Sequence, residues 1–388
     1  MLNFKVIGAG AAGNKAAINL IEKGFDAKNV TLINSTIKDI PEYYRSISMI
    51  FGANSGSFGG CGKEREIGKK RMLYDLKTGN VNLDSIVDPD TNAVIIVSST
   101  EGGSGSAATP IIAKYIKEVV GVPVIVCLLF GFNSDVRGMQ NSIEICQELS
   151  DNYGIIGISN SKFLSSCNGN KLKAELAAND YFSNIVSILA GKNIFPGSQN
   201  IDDTDLFKIV TTPGYMNIGT ANILKIKNLN QYNKIISDEI DNSKLMDISK
   251  KGAKRIGVIF DAPESIYDYI DFSAETIYQE FGNPYEIYTH VQNSSETNST
   301  VTWIVSGMPM PLNEIKDIYN GYLLESETVN KNKDSFFDEI SEFKGNQEDG
   351  MFDMLSSRPD SKKAKDNFFS DFGLDVKDKK AKNSKNEY

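Results

Sequence analysis

The sequence predicts an α/β protein built on a parallel sheet. Short apolar runs alternate with helical segments along most of its 388 residues. Two of these runs, Ala93–Val97 and Val122–Leu129, are apolar throughout, which is typical of parallel strands buried on both faces. Glycine-rich loops follow several strands, and one long segment, Lys171–Ala190, is a helix without glycine or proline. We therefore expect a sheet domain, a long helix and a smaller second α/β domain.

The chain opens with a strand, Asn3–Ile7, followed by the loop Gly8–Gly13 and a helix over Asn14–Gly24. G-x-G-x-x-G between strand and helix is the arrangement of dinucleotide-binding folds. Such folds place an acid after the second strand to hold the ribose. Here that strand, Asn29–Ile33, ends in Asn34-Ser-Thr, which counts against a nicotinamide cofactor.

Another glycine loop, Glu101–Pro110, lies between the strand at Ala93–Val97 and a helix over Ile111–Val120. Glycine lets a backbone approach an anion closely, and a helix N-terminus offers unpaired N–H groups. A plain small-residue turn would have the same composition. A further glycine-dense stretch covers residues 50–63. Three such loops at successive strand ends indicate a triphosphate bound from several sides.

Polar residues interrupt the long helix and follow it. Asn179 and Asp180 are poor helix-interior residues, so they are either a solvated pair or a pair that reads a base. After the helix, Asp202, Asp203 and Asp205 cluster at a predicted helix start. Helix capping explains one of these acids better than it explains three.

From about Thr211, strands at 255–260, 285–288 and 301–305 alternate with helices predicted over 230–250, 265–280 and 312–319. His290, the one histidine, is predicted to be a hydrogen-bonded structural residue. The stretch 325–344 is compatible with a helix. Beyond Ser356 we expect disorder with two apolar islands, Phe368-Phe369 and Phe372–Leu374.

Charge and cysteine content exclude several classes of protein. The net charge is −9, and residues 356–388 hold nine basic and six acidic residues, so the rest carries −12, which argues against a general nucleic-acid binder. The four scattered cysteines are expected to be free thiols and the single histidine makes a zinc site improbable. No apolar run is long enough to span a bilayer and no signal peptide is evident, so we expect a cytoplasmic protein.

Taken in order, these motifs resemble the tubulin/FtsZ superfamily. Glu101–Ala107 resembles its Gly-rich signature loop, Gly60–Gly68 its third loop, and Asn200–Asp205 has the spacing of the FtsZ synergy loop, Asn-x-Asp-x-x-Asp. Departures from the pattern, including Glu101 for glycine and Lys15 for asparagine, and the lysine-rich tail, are most similar to plasmid- and phage-borne TubZ proteins.

The resemblance implies a tubulin-like fold with a Rossmann-like GTPase domain, a central helix and a smaller activation domain. The implied divisions are a GTP-binding domain at 1–170, the central helix at 171–192, the synergy loop and next helix at 193–212, the activation domain at 213–325, a C-terminal helix at 326–355 and a disordered charged tail at 356–388.

The resemblance also implies the site residues. It assigns nucleotide contacts to Gly10, Ala11, Ala12, Gly13, Asn14, Lys15, Gly60, Cys61, Gly62, Lys63, Glu101, Gly102, Gly103, Ser104, Gly105, Ser106, Asn133, Arg137, Asn160, Asn179 and Asp180. It assigns catalysis to Asn200, Asp202 and Asp205. Mg²⁺ is expected on the GTP phosphates rather than on protein ligands, and Glu101 either points away from the phosphates or lies near that ion.

A straight helix of some twenty residues is about 30 Å long, so the acids after it cannot reach the nucleotide of their own chain. The resemblance implies head-to-tail filaments in which they act on the next subunit's GTP. Such filaments would segregate plasmid or phage DNA, and the tail would contact a DNA-bound adaptor without strong direct nucleic-acid binding and without a membrane. The alternatives are an FtsZ-like division or positioning filament, a filament that hydrolyses little, and a nicotinamide-dependent oxidoreductase.

Overall fold

The structure is a computed structural model that describes residues 1–53, 59–132, 135–150, 152–246, 252–293, 298–325 and 361–374. The strands in these ranges are β1 (Phe4–Ala9), β2 (Val30–Asn34), β3 (Ser48–Ile50), β4 (Ala93–Ser99), β5 (Val124–Phe130), β6 (Gly154–Ser159), β7 (Gly214–Asn222), β8 (Arg255–Asp261), β9 (Glu286–Gln292) and β10 (Thr300–Met308). The α-helices are α1 (Gly10–Glu22), α2 (Arg65–Thr78), α3 (Gly105–Tyr115), α4 (Val136–Leu149), α5 (Lys171–Leu189), α6 (Asp203–Thr211), α7 (Leu229–Asp241), α8 (Glu275–Phe281), α9 (Leu312–Glu325) and α10 (Ser361–Asp371).

The described strands form one sheet in the order β3-β2-β1-β4-β5-β6-β7-β10-β8-β9. Neighbours are parallel except that β10 runs antiparallel to both β7 and β8. The fold class is therefore α/β with a mostly parallel sheet, as the sequence predicted. The second α/β unit does not build a separate sheet, because β7 pairs with β6 through Gly214 and Tyr215.

The core lies on both faces of this sheet. Every residue of β5 and nearly every residue of β4 is buried, which confirms the interpretation of their unbroken apolar runs. One core layer packs under α2, α3 and α4, and the other packs under α1, α5 and α6. Covering helices on both faces are what two-sided apolar strands require.

Helix α5 runs along the sheet from the C-terminal ends of the strands to their N-terminal ends. At its start, the Lys171 ammonium lies 5.2 Å from the ring centre of Phe132, just after the C-terminal end of β5. At its end, the Ala190 carbonyl accepts a hydrogen bond from the Leu2 amide, just before β1 begins. At 1.5 Å per residue the helix is about 28 Å long. The end of α5 therefore lies at the opposite end of the strands from the loops that follow β1 and β4.

Two predicted helices of the second unit are shorter than expected. The helix predicted to reach residue 250 ends at Asp241, because the chain then turns and Met246 donates to the Gly157 carbonyl of β6. The helix predicted over 265–280 is a 3₁₀ turn, Glu264–Tyr269, followed by α8. The Asp271 carboxylate accepts hydrogen bonds from the Ser273 and Thr276 amides, and this local turn interrupts the helix.

The C-terminal region also differs from expectation. The helix predicted over 326–355 lies outside the described residues. The disorder predicted from 356 onward does not hold for 361–371, which form α10 packed beside α3. The predicted apolar islands explain the difference, because Phe368 and Phe369 are buried and Phe368 meets Tyr115 edge to face. None of the helices in the described part combines the length and apolarity that crossing a bilayer requires.

Candidate nucleotide site and the loop after α5

Three glycine loops meet at the C-terminal ends of β1 and β4. We call them the first loop (Ala9–Gly13), the second loop (Gly59–Lys63) and the signature loop (Glu101–Ser106). Gly10 has φ +75°, and a Cβ there would lie 2.8 Å from the Gly105 Cα. A Cβ on Gly103 would lie 2.7 Å from the Lys63 Cα. The loops therefore pack backbone against backbone, and side chains at these glycines would force them apart.

The first and signature loops open two helices whose first amides are not capped by side chains. Ala9 before α1 has no polar side-chain atom, and the Ser104 side chain before α3 accepts no hydrogen bond from its helix. Asn14, 1% exposed, has no hydrogen-bond partner for either side-chain polar atom within the described residues. Helix N-termini without a capping side chain, and a buried amide side chain without a partner in the described part of the chain, fit an anionic ligand rich in oxygen atoms.

Helix α4 and its N-cap residue bind the end of the second loop and the start of α2 through three consecutive residues, Lys63 to Arg65. The ammonium of Lys63 pairs with Asp135, Glu64 pairs with Arg137 at 2.6 Å, and Arg65 pairs with carboxylates on α4 at 2.7 and 2.9 Å. The hydrogen bond from Lys63 holds the pKa of the Asp135 carboxyl below its ordinary value. Lys63 and Arg137, both predicted to contact the nucleotide, are thus already paired with carboxylates. Asn133 lies outside the described residues.

Two buried residues connect α4 and α2 to the loops, and no motif in the sequence had indicated a role for either. The Asn141 amide donates to the carbonyls of Lys63 and Glu101, at 3.0 Å each. The Arg65 guanidinium donates to the Ser106 carbonyl at 3.1 Å. One available signal was Asn141 itself, a polar residue on the buried face of α4 that Ile145 and Leu149 mark at four-residue spacing.

Glu101 lies beside α4. A Cβ on Gly131 would be 2.4 Å from its carboxylate, and Gly138 is in contact with its side-chain stem. This carboxylate is thus directed to the segment between β5 and α4. Among the described residues no three His, Cys, Asp or Glu side chains form a metal-binding group.

The three residues predicted to hold a base differ in their free hydrogen-bonding groups. The Asn160 Oδ1 is buried without a partner, and Asn179 is 7% exposed with no side-chain hydrogen bond inside the described ranges. Asp180 accepts from Asn19 and pairs with Lys23, both at 3.1 Å. Burial raises the pKa of Asp180, but the hydrogen bonds from Asn19 and Lys23 outweigh it and the net pKa is lowered.

The predicted catalytic residues lie on the loop after α5 and in the first turn of α6, away from the glycine loops. Asp202 caps α6 by accepting from the Asp205 amide at 2.8 Å, and the Asn200 side chain bonds both polar backbone atoms of Gly197. Asp205 is 4.0 Å from Lys208. Since α5 separates this loop from the three glycine loops, the structure brings the loops together but does not bring the acids to them.

Comparison with known proteins identifies the domain that carries the glycine loops. Residues 3–168 match the profile described as Tubulin/FtsZ family, GTPase domain. These residues are a Tubulin/FtsZ-family GTPase domain. The mostly parallel sheet flanked by helices is the Tubulin/FtsZ fold, which confirms the predicted fold class.

The similar proteins come from several branches. The cell division protein FtsZ of Mycoplasmopsis pulmonis is 28% identical over 221 residues, which are 56% of this chain and 55% of that protein, so the chain spans about half the length of this relative. A GTPγS-bound CetZ2 protofilament from Haloferax volcanii has a TM-score of 0.66 at 18% identity, over 84% of this chain and 100% of that one. A GTPγS-form protofilament of Bacillus thuringiensis serovar israelensis TubZ also scores 0.66, at 16% identity over 84% and 92%. The TubZ likeness is thus no greater than the CetZ likeness.

Proposed function

We propose that this protein is a GTPase that assembles head to tail and hydrolyses GTP at the contact between subunits. The observation that carries the proposal is the separation of the two halves of the site within one chain. The glycine loops lie at one end of α5 and the carboxylates of Asp202 and Asp205 follow its other end. A second copy stacked on the first would bring the halves together.

On the nucleotide side, the phosphates would be held by backbone amides of the three loops and by the N-termini of α1 and α3. The amide of Asn14 would gain the partner that it lacks. Asn160 and Asn179 are the best candidates for contacting guanine, since their side chains have polar atoms without a partner in the described part of the chain. Asp180 would have to leave Lys23 before it could accept from the base.

On the loop side, Asp202 and Asp205 would orient and polarise the water that attacks the γ-phosphate of the neighbouring subunit's GTP. Asn200 would keep the loop in shape through its two hydrogen bonds to Gly197. Positioning and electrostatic stabilisation account for most of the catalysis in phosphoryl transfer. The Mg²⁺ that accompanies GTP would neutralise charge on the phosphate oxygens.

Exposed apolar side chains at the two ends of α5 support stacking. Leu172 and Leu176 are 65% and 54% exposed at its start, and Phe195 is 60% exposed on the loop after it. These surfaces are different, so the contact between copies would be heterologous, and heterologous contacts that do not close produce filaments. The occupant that we assign to each surface is therefore the opposite end of another copy.

The role of Asp202 is tested by Asp202→Asn. Asparagine caps helices as well as aspartate does, so α6 keeps its cap while the carboxylate charge is lost. We expect unchanged GTP binding and thermal stability, filaments that persist, and phosphate release reduced by roughly 100-fold, in the range for residues that position phosphoryl-transfer reactants. Asp203→Asn, which removes the adjacent acid, is the matched control. Normal turnover in Asp202→Asn would remove this residue from the mechanism.

Shared-site hydrolysis is tested by light scattering recorded together with phosphate release, with Mg²⁺ and with GTP or ATP. We expect scattering to rise with GTP alone and release to begin only above a critical protein concentration. Release proportional to protein at every concentration would mean that one subunit holds a complete site. A nicotinamide enzyme would respond to neither nucleotide, and Asn34 at the end of β2 in place of an acid argues against it.

For the cellular use, we propose segregation of plasmid or phage DNA, with the basic residues of the 356–388 tail contacting a DNA-bound adaptor. The tail charge supports this use. The relatives named cell division protein FtsZ support the alternative, a division filament. Deleting the gene separates the two uses: the first predicts loss of a plasmid or phage from daughter cells that divide normally, and the second predicts cells that fail to divide.

A further inference from the structure

The chain's one histidine lies under the loop that carries the candidate catalytic acids. His290 is on β9 and is 1% exposed. Its Nδ1 lies 3.2 Å from the Ile201 amide nitrogen, and its Nε2 lies 2.9 Å from the Phe195 carbonyl oxygen. A single imidazole thus contacts both ends of the segment 195–201, and Asp202 is the next residue.

These contacts define the protonation state of the ring. An amide N–H can only donate, so Nδ1 must be the acceptor and the ring proton must be on Nε2. Nε2 faces two acceptors, the Phe195 carbonyl and the Gln292 Oε1 at 3.0 Å, which is consistent with a donor there. The ring is therefore the neutral Nε2–H tautomer.

Neighbouring residues of β9 hold the rest of the loop. Gln292 accepts from the Phe195 amide at 2.9 Å and donates to the Asn193 carbonyl at 3.0 Å. Val291 exchanges backbone hydrogen bonds with Ser198 and Gln199. A Cβ on Gly197 would lie 2.0 Å from the Val291 carbonyl oxygen, so the loop is pressed against the strand. His290 is the member of this set whose hydrogen bond is adjacent to Asp202.

We propose that His290 is a positioning residue for GTP hydrolysis: its neutral imidazole closes the segment 195–201 and thereby places Asp202 for the neighbouring subunit's nucleotide. The inference rests on the proposed function, since it assigns a role within that shared site. We assign His290 no direct contact with the attacking water or the nucleotide. It acts through the Ile201 amide, and a shift of about 1 Å in a catalytic group can reduce turnover by 10²-fold.

Three substitutions separate the two ring nitrogens. His290→Asn keeps an acceptor near the position of Nδ1, His290→Gln keeps a donor near the position of Nε2, and His290→Leu keeps neither. Tyr288→Phe is the matched control, because it removes a hydroxyl on the same strand that bonds Glu286 and not the loop. All are compared with the wild type for GTP affinity, critical concentration and kcat of the assembled protein.

We expect GTP affinity to stay within about twofold for every variant that folds, because the nucleotide loops lie at the other end of α5. We expect kcat to fall at least tenfold in His290→Leu, to recover in part in His290→Asn, and to stay at the wild-type value in Tyr288→Phe. Wild-type kcat in a folded His290→Leu would overturn the inference. So would losses of kcat that are equal in all three variants and no larger than their losses of folded protein. A wild-type protein that neither assembles nor hydrolyses GTP would instead contradict the proposed function.

Nuclear magnetic resonance gives a readout that does not depend on hydrolysis. Because the sequence has one histidine, ¹⁵N-histidine labelling yields a single pair of ring nitrogens that needs no assignment. We expect the shifts of a neutral Nε2–H ring at neutral pH, and faster hydrogen exchange of the Ile201 amide in His290→Leu. An imidazolium or an Nδ1–H ring in the folded protein would contradict the proposed hydrogen bonds of His290 with the segment 195–201.

Discussion

Asn141 shows how one side chain can hold two glycine loops together. It is fully buried, and its amide nitrogen serves carbonyls from the second loop and the signature loop at the same distance. Arg65 adds a third connection from the same region to the Ser106 carbonyl. The spacing of the two loops thus depends on buried side chains of α4 and α2.

Replacing Asn141 with alanine tests this role. The Lys63 and Glu101 carbonyls would each lose a buried donor, and an unsatisfied buried group costs about 1–3 kcal/mol. We expect a lower free energy of unfolding by that amount, measured in urea, and GTP affinity weaker by about tenfold, which corresponds to 1.4 kcal/mol. Gln147→Ala, elsewhere on α4, is the control. Unchanged GTP affinity in a destabilised Asn141→Ala would limit its role to folding.

At the scale of elements, α10 is the segment that the sequence described least well. Its buried phenylalanines pack on Tyr115, the Lys365 ammonium lies 2.6 Å from Asp84, and Asp371 lies 2.7 Å from Lys114. The ion pairs are partly exposed and contribute little individually, so the aromatic contacts dominate the docking. A tail helix packed in this way has its apolar residues already occupied.

Phe368→Ala is expected to release α10 from the body. Loss of a buried phenylalanine costs roughly 3–5 kcal/mol in a core, which exceeds what the remaining contacts of a short helix supply. Limited proteolysis should then cleave within 361–374 much faster, while the unfolding midpoint of the sheet changes little. Lys363→Glu, at an exposed position on the same helix, should leave cleavage unchanged. Slow cleavage in Phe368→Ala would show that other contacts hold the helix.

At the scale of the whole molecule, the surfaces at the two ends of α5 are different, so the protein has a direction. The end with the glycine loops carries Leu172 and Leu176, and the other end carries Phe195 and the acids. Because these surfaces differ, each subunit has one of each kind to offer. A pair of variants, each with one end blocked, should therefore complement each other.

The complementation uses Leu176→Lys and Phe195→Lys. A buried lysine without a partner is costly, so each variant alone should fail to assemble and to hydrolyse GTP. Mixed in equal amounts, the nucleotide end of Phe195→Lys can still meet the loop end of Leu176→Lys. We expect dimers but no filaments, by analytical ultracentrifugation, and hydrolysis restored to at most about half of the sites, since heterologous contacts pair unlike ends. No recovery on mixing would argue against a head-to-tail contact.

The sequence by itself determined the α/β class, the buried strands and the three glycine loops, because backbone sterics and two-sided burial leave local patterns in composition. It also indicated that the acids after α5 lie far from those loops, because helix length is fixed by the rise per residue. Only the tertiary structure decided which groups are free. Lys63, Arg137 and Asp180 are paired with residues that are distant in sequence or lie on another helix, whereas Asn14, Asn160 and Asn179 have side-chain polar atoms without a partner among the residues that the structure describes. The hydrogen bonds of His290 with the segment 195–201 and the packing of α10 are likewise long-range contacts. They depend on which surfaces the sheet brings together, and no local pattern in the chain records that.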